Sequence, residues 1–544
     1  MKVCFFTLGC KVNQQETAAM INIFSQNGWE IAEDREVSDV YIVNSCTVTL
    51  SGDKKSIQWI RRAKKQNPDA VVVLCGCMPQ AFPDKATAVE EADIIIGSKG
   101  KGEILNLVNA FKEIKIPNLR WPGGCFADEY HWKDGIGPKE NRPKMINSNW
   151  GGTVEDNSFG THEFFNLCEL LGTEPYLSGN VGSGTVEELA KWVEYITAKG
   201  GTMAEMRAAN GRKDPWHLKY LGVGNESWGC GGNMTPEFYS DLYKRYATYC
   251  RNFDGNTLYK VASGATDYDY NWTKVLMDRI GNQMHGVSLH YYTVKGWTGS
   301  KGSATVFDLD SYYDVLAKCV EVDEVITKHE TIMDVYDPEG QVDLLLDEWG
   351  TWFDVEPGTN PGHLYQQNTM RDAMVAALSL NIFHNHAERL KMANIAQIVN
   401  VLQSMILTQG NEIVLTPTYH VFRMYNVHQD ATYIPLEYKA AEFTSPSGRP
   451  MPEISLTASR DSEGNINVSI VNPMADKAQT VTLDFDELKP ENISGEILKS
   501  KSVNDYNDFG KAPAVAPAPF TGFKAKKDQL TVTIPAASIV SLTL

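Results

Sequence analysis

The chain has 544 residues, a formal net charge of −18 and an ordinary globular composition in which 42% of the residues are hydrophobic. At roughly 100–200 residues per domain, this length predicts two to four domains. The acidic charge argues against a general nucleic-acid surface or an anionic membrane surface, because both need basic residues to neutralise phosphate. A neutral or weakly polar substrate suits this charge better.

The distribution of apolar residues and cysteines bears on location. No apolar run approaches the ~20 residues that span a bilayer, and the N-terminus shows no secretory signal pattern. The ten cysteines are sparse and mostly lie inside apolar runs. Such cysteines suit buried thiols in a reducing compartment better than a disulfide framework. We therefore expect a cytoplasmic protein with no membrane partner.

The first hundred residues alternate short β-rich runs with helical patterns. The predicted strands include KVCFFTL, DVYIVNS, AVVVLCG and DIIIGS. This alternation predicts a small flavodoxin-like parallel α/β domain over residues 1–110. Cys10, Cys46 and Cys77 each follow the predicted end of a strand, at the edge where ligands bind in open α/β sheets.

Residues 111–428 continue the alternation in longer units. The predicted strands are NLRWPGG, EPYLSGN, KYLGVGNE, LYKVASGA, HGVSLHYY, VDLLLDEW and NIAQIVNV. Parallel strands alternating with helices over this length predict a (β/α)8 TIM barrel, but a closed barrel needs eight strands and only seven are found. One strand must come from upstream or be missing. By its spacing, the segment 93–98 is our candidate for the empty first position.

The rhythm changes after a helix that begins with Thr416 and Pro417. Segments such as EISLTASRD, NINVSIVNP and QTVTLDFD alternate apolar and polar residues between Gly, Asn, Asp and Pro turns. This pattern predicts a jelly-roll-like antiparallel β-sandwich over residues 429–544.

Two predicted barrel strands end in glutamate. Glu226 follows Asn225 in GVGNESWG, and Glu348 lies in LLLDEWGTW. Active sites of such barrels lie at the carboxyl ends of the strands, so the two carboxylates should share one pocket. Paired carboxylates are what glycoside hydrolysis needs. Five tryptophans offer apolar faces for a sugar ring: Trp121, Trp132, Trp150, Trp349 and Trp352.

Several motifs occur together in a recognisable order. They are RWPGGCFADEYHWKDGIGP, WGG, NVGSGT, KYLGVGNESWGCGG, SLHYY, LLLDEW and MANIAQIVNVLQ. From about residue 112 to the C-terminus, the chain resembles glycoside hydrolase family 51, the α-L-arabinofuranosidases. This resemblance implies release of terminal non-reducing α-L-arabinofuranosyl residues from arabinan, arabinoxylan or arabino-oligosaccharides, with retention of configuration and without a cofactor.

The resemblance also implies roles for individual residues. Glu226 matches the acid/base, and Glu348 matches the nucleophile. The residues implied to bind the substrate are Arg120, Cys125, Asn225, Tyr292, Trp150, Trp352 and Gln397; Cys125 stands where many family members carry asparagine. The acid/base must hold a proton while Glu348 is ionised, and the two carboxyls of a retaining pair should lie ~5–5.5 Å apart.

The front of the chain carries a second resemblance. TLGCKVNQQE, YIVNSCTVT, GDKKSIQWIRRA and VVVLCGCMPQ resemble the N-terminal domain of tRNA methylthiotransferases. That resemblance implies a [4Fe-4S] cluster held by Cys10, Cys46 and Cys77, since thiolates are the usual ligands of such clusters. The complete enzyme also needs a CxxxCxxC triplet, and this chain has none.

The two resemblances meet near residues 100–115, so the chain looks like a fusion that replaced the start of the hydrolase. An incomplete barrel exposes strand edges and is expected to impair hydrolysis. Family members form hexamers, but the replaced start argues against an oligomer here. Two alternative functions remain open: an iron-sulfur fragment related to tRNA modification, and a non-catalytic arabinoside-binding protein.

Overall fold

A computed structural model describes residues 2–8, 11–26, 28–33, 36–45, 50–68, 70–81, 86, 89, 91–97, 110, 113–410, 412–485 and 492–544. Within these ranges, no helix is both long enough and apolar enough to cross a bilayer.

The N-terminal part is a parallel α/β domain. Its strands are β1 (Lys2–Thr7), β2 (Glu30–Ala32), β3 (Val40–Ser45), β4 (Val71–Gly76) and β5 (Ile94–Gly97), and its helices are α1 (Lys11–Gln26), α2 (Leu50–Gln66) and α3 (Cys77–Ala81). The strand order β2-β1-β3-β4-β5 confirms the predicted flavodoxin-like topology. Strands β3 and β4 are buried along their whole length, as expected for central strands of a parallel sheet.

The central part is a seven-stranded parallel sheet that curves into an incomplete barrel. Its strands are β6 (Asn118–Trp121), β9 (Glu174–Gly179), β10 (Tyr220–Val223), β11 (Tyr259–Thr266), β12 (Gly286–Thr293), β13 (Asp343–Thr351) and β14 (Leu390–Ile395), with a hairpin of β7 (Met145–Asn147) and β8 (Thr153–Glu155) after β6. Every neighbouring pair in this sheet is parallel. The predicted barrel architecture and the count of seven strands are confirmed.

Helices cover the outside of this sheet. They are α4 (Thr161–Leu171), α5 (Val186–Thr197), α6 (Thr202–Ala209), α7 (Pro236–Tyr249), α8 (Tyr270–Ile280), α9 (Leu309–Val320), α10 (Val322–Tyr336) and α11 (Met370–Asn385). The Thr235 side chain accepts a hydrogen bond from the Phe238 amide, and Pro236 is the first residue of α7. These are the N-terminal signals expected at the start of a helix.

The barrel remains open between β6 and β14, its first and last strands. Among the described residues, β6 pairs only with β9, and β14 pairs only with β13. The prediction that segment 93–98 fills the gap is wrong for the residues that the structure describes. Strand β5 instead pairs in parallel with β4 and extends the N-terminal sheet. Strand β4 is the strand that comes just before β5 in the chain, and one of its edges is open to pairing.

The last barrel strand also differs from its prediction. NIAQIVNV was expected to be a strand, but β14 begins four residues earlier and ends at Ile395. Two apolar runs follow each other in the sequence at this point, and periodicity alone does not indicate which of them forms the strand. As a result, Gln397 follows the strand instead of lying on it.

The C-terminal part is the predicted antiparallel sandwich, which follows the hairpin of β15 (Ile406–Gln409) and β16 (Glu412–Leu415) and helix α12 (Pro417–Tyr425). One sheet contains β17 (Thr432–Tyr433), β20 (Ser455–Arg460), β21 (Ile466–Asn472), β23 (Ser494–Lys499), β24 (Ala516–Pro519) and β27 (Ser538–Thr543). The other contains β22 (Gln479–Asp484), β25 (Phe523–Lys526) and β26 (Gln529–Ile534), and a separate hairpin is formed by β18 (Glu442–Thr444) and β19 (Pro450–Pro452). The two sheets enclose an apolar core.

Candidate active site

The predicted catalytic residues meet at the carboxyl end of the barrel. Arg120 lies on β6, Tyr292 near the end of β12 and Glu348 on β13, while Asn225 and Glu226 follow β10. The backbone of Glu226 has a φ of +43°, a left-handed conformation that non-glycine residues seldom adopt. Such local strain is frequent at functional sites.

Glu348 is held as an ionised carboxylate by its neighbours. Tyr292 donates a hydrogen bond from its hydroxyl to Oε1 of Glu348 at 2.7 Å, and Nη1 of Arg120 lies 3.1 Å from Oε2. Burial alone would raise the pKa of Glu348. The charges of His290 and Arg120 and the Tyr292 hydrogen bond outweigh burial and hold that pKa below its ordinary value. An ionised carboxylate in this position is suited to act as a nucleophile.

A histidine joins the two sides of the site. Nδ1 of His290 lies 2.8 Å from Oε1 of Glu226, and its Nε2 lies 3.0 Å from Oδ1 of Asp347. Burial would lower the pKa of His290, but the charge of Glu348 and the hydrogen bonds to Asp347 and Glu226 raise it to about 10. The ring is therefore a buried cation at neutral pH, and both of its nitrogens donate.

The two glutamates are close enough to act on the same bond. One carboxylate oxygen of Glu226 and one of Glu348 lie within 4.8 Å of each other, and His290 offers a nitrogen within the same distance of both. This oxygen separation is compatible with the ~5–5.5 Å between the carboxyls of a retaining pair.

Asn225 presents an amide that the protein leaves available. Its Oδ1 accepts a short hydrogen bond from Nη2 of Arg120, and its backbone amide donates to Oδ2 of Asp128 at 2.9 Å. Its Nδ2 is buried and has no hydrogen-bond partner among the described residues. A buried donor without a partner is costly, so this nitrogen is suited to bind a substrate hydroxyl.

Asp128 fixes the loop that carries Asn225. Its Oδ1 accepts hydrogen bonds from the amides of Val181 and Gly182 at 2.7 and 2.8 Å. Burial raises the pKa of Asp128 to about 6, although these backbone hydrogen bonds oppose the shift. A Cβ on Gly231 would meet the Asn225 carbonyl oxygen at 1.8 Å, so only glycine fits there.

Aromatic rings form one wall of the site. Trp150 and Trp352 lie with ring centroids 6.1 Å apart, and Tyr292 packs edge-on against Trp352 at 5.1 Å. The exposed Trp297 extends this wall and was not predicted. Together these rings give the entrance apolar faces of the kind that sugar rings contact.

The other three predicted tryptophans pack in or against the protein core. Trp132 and Trp349 are almost fully buried, and Trp349 packs against Phe383. Trp121 stacks on Phe164 with ring centroids 5.1 Å apart. The prediction that Trp132 and Trp349 offer faces to a sugar is therefore wrong, because packing inside the fold already covers their rings; for the half-buried Trp121 it stays a prediction.

The opening in the barrel adds a cavity to the site. This cavity has a volume of about 430 Å³, and Arg120, Glu348 and Gln397 line it together with β14. Gln397 thus lies near the carboxylates, although it follows the last strand. A larger cavity of about 960 Å³ lies between α5 and α7 and contains none of the predicted site residues.

A disulfide lies beside the acid/base. Cys125 is bonded to Cys230, 105 residues later, and Sγ of Cys230 lies 3.4 Å from Oε2 of Glu226. The prediction that the cysteines are buried thiols is wrong for this pair, because the fold brings two loops together. It fits Cys168, Cys250 and Cys319, where burial raises the pKa of each thiol to about 12.

The N-terminal cysteines are only partly described. Cys77 begins α3 directly after β4, and its Sγ lies 3.9 Å from Oδ1 of Asn13. Nδ2 of Asn13 donates to the carbonyl oxygens of Leu8 and Ser45, both at 2.9 Å. Three chain segments thus converge at one sheet edge. Two predicted cluster ligands, Cys10 and Cys46, lie outside the described residues.

Sequence reasoning missed the residues that support the carboxylates. His290, Asp347 and Asp128 received no role, and neither did Tyr176, whose hydroxyl donates to Asp347. A signal existed for three of them, because His290, Asp347 and Asp128 belong to the motifs SLHYY, LLLDEW and RWPGGCFADEYHWKDGIGP. Their partners lie on other strands or loops, so the motifs alone do not indicate what they contact.

Comparisons with protein families match three stretches of the chain, and the C-terminal model begins within barrel strand β13, ahead of the sandwich. The Alpha-L-arabinofuranosidase 1 domain matches residues 110–304, and the Alpha-L-arabinofuranosidase C-terminal domain matches residues 347–538. Residues 2–97 match Uncharacterized protein family UPF0004.

Individual relatives agree with the family matches. An intracellular exo-alpha-L-arabinofuranosidase of Bacteroides ovatus is 63% identical over 82% of this chain and 87% of its own length. A probable alpha-L-arabinofuranosidase C of Aspergillus flavus is 31% identical over 70% of this chain and 77% of its own. A GH51 arabinofuranosidase crystal structure from Xanthomonas axonopodis pv. citri, 46% identical, superposes with a TM-score of 0.79 over 81% of this chain and 89% of its own.

Proposed function

This chain belongs to glycoside hydrolase family 51, the α-L-arabinofuranosidases, and from that premise we propose that Glu226 and Glu348 carry out its retaining hydrolysis. The protein is an exo-acting α-L-arabinofuranosidase. Its substrates are terminal non-reducing arabinofuranosyl residues of arabinan, arabinoxylan or arabino-oligosaccharides. The observation that carries the catalytic assignment is the pair of carboxylate oxygens within 4.8 Å of each other, on residues with different neighbours.

In the first step, a carboxylate oxygen of Glu348 attacks the anomeric carbon. The glycosidic bond breaks as Glu226 gives its proton to the leaving oxygen, and a covalent arabinosyl ester forms on Glu348. Tyr292 and Arg120 orient the attacking carboxylate through their contacts with Oε1 and Oε2. Nδ2 of Asn225, which has no hydrogen-bond partner in the described part of the chain, is positioned to bind a sugar hydroxyl while charge develops on the ring.

In the second step, Glu226 acts as a base. It takes a proton from a water molecule, the water oxygen attacks the anomeric carbon, and the ester bond to Glu348 breaks. The released arabinose keeps its original anomeric configuration because two inversions have occurred. Two carboxylates supply all of this chemistry, and the hydrolysis needs no cofactor.

Trp150 and Trp352 are proposed to contact the leaving part of the substrate, while Gln397 and Cys125 contact the arabinosyl unit. The two tryptophan rings lie next to each other at the entrance, with an angle of 46° between their planes. Because the barrel is open beside Arg120, we expect a lower rate than a closed barrel would support, since small displacements of catalytic groups are costly.

We propose a cytoplasmic location, which the intracellular Bacteroides ovatus relative supports. The domain boundaries at residues 110 and 428 stay predictions. The same holds for the oligomeric state, where the replaced start argues against a family hexamer, and for the expectations of no membrane partner and no nucleic-acid partner.

For the N-terminal domain, a second candidate function is iron-sulfur binding of the methylthiotransferase type. Its support is the match to family UPF0004 and the convergence of three segments through Asn13. Cys77 would be one thiolate ligand, and Cys10 and Cys46 are the other proposed ligands. A cluster would supply an iron for sulfur chemistry. Iron and sulfide content after anaerobic purification tests this assignment.

One experiment tests the proposed catalytic pair directly. The purified full chain is incubated with 4-nitrophenyl α-L-arabinofuranoside, and proton NMR is used to determine the anomeric configuration of the first product. We expect retention, loss of release in Glu348→Ala, and normal release in Glu187→Gln, which changes an exposed glutamate on α5. An inverted first product, or undiminished release in Glu348→Ala, contradicts the assignment. Binding of arabino-oligosaccharides by a folded chain without turnover favours the non-catalytic alternative.

A further inference from the structure

The disulfide at the active site brings two sulfur atoms next to a catalytic carboxylate. Cys125 begins a short 3-10 turn after β6, and Cys230 lies in the loop after β10. Their Cα atoms are 5.4 Å apart. Cys125 is proposed to contact the arabinosyl unit, but neither sulfur takes part in the bond-making and bond-breaking of the two hydrolytic steps.

The three side chains form a set of donors that suits a thiophilic metal ion. Sγ of Cys125, Sγ of Cys230 and a carboxylate oxygen of Glu226 all lie within 4.8 Å of one another. In a tetrahedral zinc site with Zn–S of about 2.3 Å and Zn–O of about 2.1 Å, ligand atoms lie about 3.6–3.8 Å apart. The 3.4 Å between Cys230 Sγ and Glu226 Oε2 is close to that spacing.

The site is also accessible. Cys230 is exposed and Cys125 is half-buried, so an ion can reach the sulfurs from solvent without opening the core. Intracellular disulfides are usually transient and redox-sensing, because cellular dithiols reduce them. The two sulfurs are therefore expected to alternate between a disulfide and a pair of thiols.

We propose that reduction of the Cys125–Cys230 disulfide creates a site for a thiophilic divalent cation such as Zn²⁺, bound by both thiolates and Glu226, and that this ion blocks hydrolysis. The block rests on the proposed acid/base role of Glu226, whereas ion binding does not. Glu226 cannot carry a proton to the leaving oxygen while its carboxylate coordinates a metal. A water molecule is left to complete the tetrahedron.

A phosphine attacks one sulfur and breaks the S–S bond, so the disulfide takes two electrons from phosphorus. One water molecule then supplies the oxygen of the phosphine oxide and the two protons of the thiols. In a cell, a dithiol reductant is oxidised to its disulfide instead. The metal ion then binds two thiolates, and two protons are released to solvent.

Metal binding is tested with the full chain in two states, as purified with the disulfide and after phosphine reduction and anaerobic desalting. Co²⁺ is the probe, since thiolate ligation gives a charge-transfer band in the near ultraviolet. We expect reduced protein to bind one more equivalent than oxidised protein. Cys230→Ser should lose that equivalent, and Cys77→Ser should keep it, which separates this site from the N-terminal cysteines.

The affinity of the reduced chain for Co²⁺ tests whether Glu226 is a ligand of the metal ion. Glu226→Gln should weaken Co²⁺ binding to the reduced chain at least roughly tenfold, because a neutral amide oxygen replaces a charged ligand. This measurement needs no enzymatic activity, so failure of the proposed hydrolysis would leave it unaffected. Equal uptake by reduced wild-type protein and reduced Cys230→Ser overturns the proposal, and so does an unchanged affinity in Glu226→Gln.

The block on hydrolysis is measured with Zn²⁺ and 4-nitrophenyl α-L-arabinofuranoside. We expect one equivalent of Zn²⁺ to lower the rate of the reduced enzyme at least roughly tenfold, to leave the oxidised enzyme unaffected, and to be reversed by a chelator. A reduced enzyme that holds the ion at this site and keeps its full rate overturns the inhibitory part.

Discussion

Nδ1 of His290 lies 2.8 Å from Oε1 of Glu226, so a buried imidazole on β12 contacts the proposed acid/base directly. The opposite nitrogen of the same ring contacts Asp347 on β13. The His290 ring thus links Asp347 on β13 to Glu226, which follows β10, and helps to fix the position of the Glu226 carboxylate. Because this contact carries charge, its strength should depend on pH.

The first prediction concerns that dependence. The pKa of His290 is raised from 6.5 to about 10, so its stabilising contribution is complete below pH 6.5 and is lost as pH rises towards 10. His290→Asn should therefore lower the Tm most at or below pH 6.5, and the difference from wild type should narrow at higher pH. Thermal unfolding followed across this range measures it. A difference that grows with pH contradicts the assignment.

The second prediction separates the two glutamates. Glu348→Ala should abolish release from every arabinofuranoside, since no nucleophile remains. Glu226→Ala should lower kcat/KM by about 10²–10⁴-fold on arabino-oligosaccharides, whose leaving groups need a proton, and far less on 4-nitrophenyl α-L-arabinofuranoside. The measurement is kcat/KM on both substrates. Equal losses on the two substrates in Glu226→Ala would exclude its role as the acid.

The third prediction concerns the hydroxyl of Tyr292. Tyr292→Phe removes the 2.7 Å hydrogen bond to Glu348, and a hydrogen bond to a charged group contributes roughly 1.5–3 kcal/mol. We therefore expect kcat/KM to fall about 10–100-fold. Tyr291→Phe is the matched control, because the neighbouring hydroxyl donates to the Lys318 carbonyl outside the site. Similar losses of activity in the two variants would contradict this role.

The fourth prediction concerns the aromatic wall. Trp352 contacts Trp150 and Tyr292, and we propose that its ring supports the leaving part of the substrate. Trp352→Ala should raise KM for arabino-oligosaccharides by roughly threefold to tenfold, the effect of losing one aromatic contact. Methyl α-L-arabinofuranoside has almost no leaving part and serves as the control substrate. An equal change on both substrates would place the effect on the arabinosyl side.

Much of the architecture was predictable because it depends on local patterns. Strand and helix periodicities gave the parallel domain, the seven barrel strands and the sandwich. The two glutamates were found because each follows a buried run at a strand end. Their supporting residues were not, since the contacts of His290 and Asp128 come from distant strands and loops.

The tryptophans and cysteines show what sequence leaves undecided. Trp349 and Glu348 are neighbours on β13, but Trp349 packs into the core and Glu348 reaches the site. Alternation predicts that these two side chains point to opposite faces of the strand, but the sequence alone does not indicate which face is the site. The ladders with β12 and β14 also shift register near this point. Cys125 and Cys230 meet only because two loops approach each other, and spacing along the chain carries no information on that approach.

Because the barrel sheet is open between β6 and β14, contacts outside the sheet must hold its two edges in place. A closed barrel holds its curvature through a continuous circle of hydrogen bonds, but this ring has two ends. Helix α11, which precedes β14, is fastened to the sandwich by Asn381 Nδ2 donating to Ser455 Oγ at 3.0 Å and by the Met370 amide donating to the Asp505 carbonyl at 2.9 Å. At the other end of the ring, just before β6, the Tyr419 hydroxyl of α12 donates to the Ala110 carbonyl oxygen at 2.9 Å. The sandwich and the helix that leads into it thereby hold both ends of the ring, and with them the distance from Arg120 on β6 to Glu348 on β13.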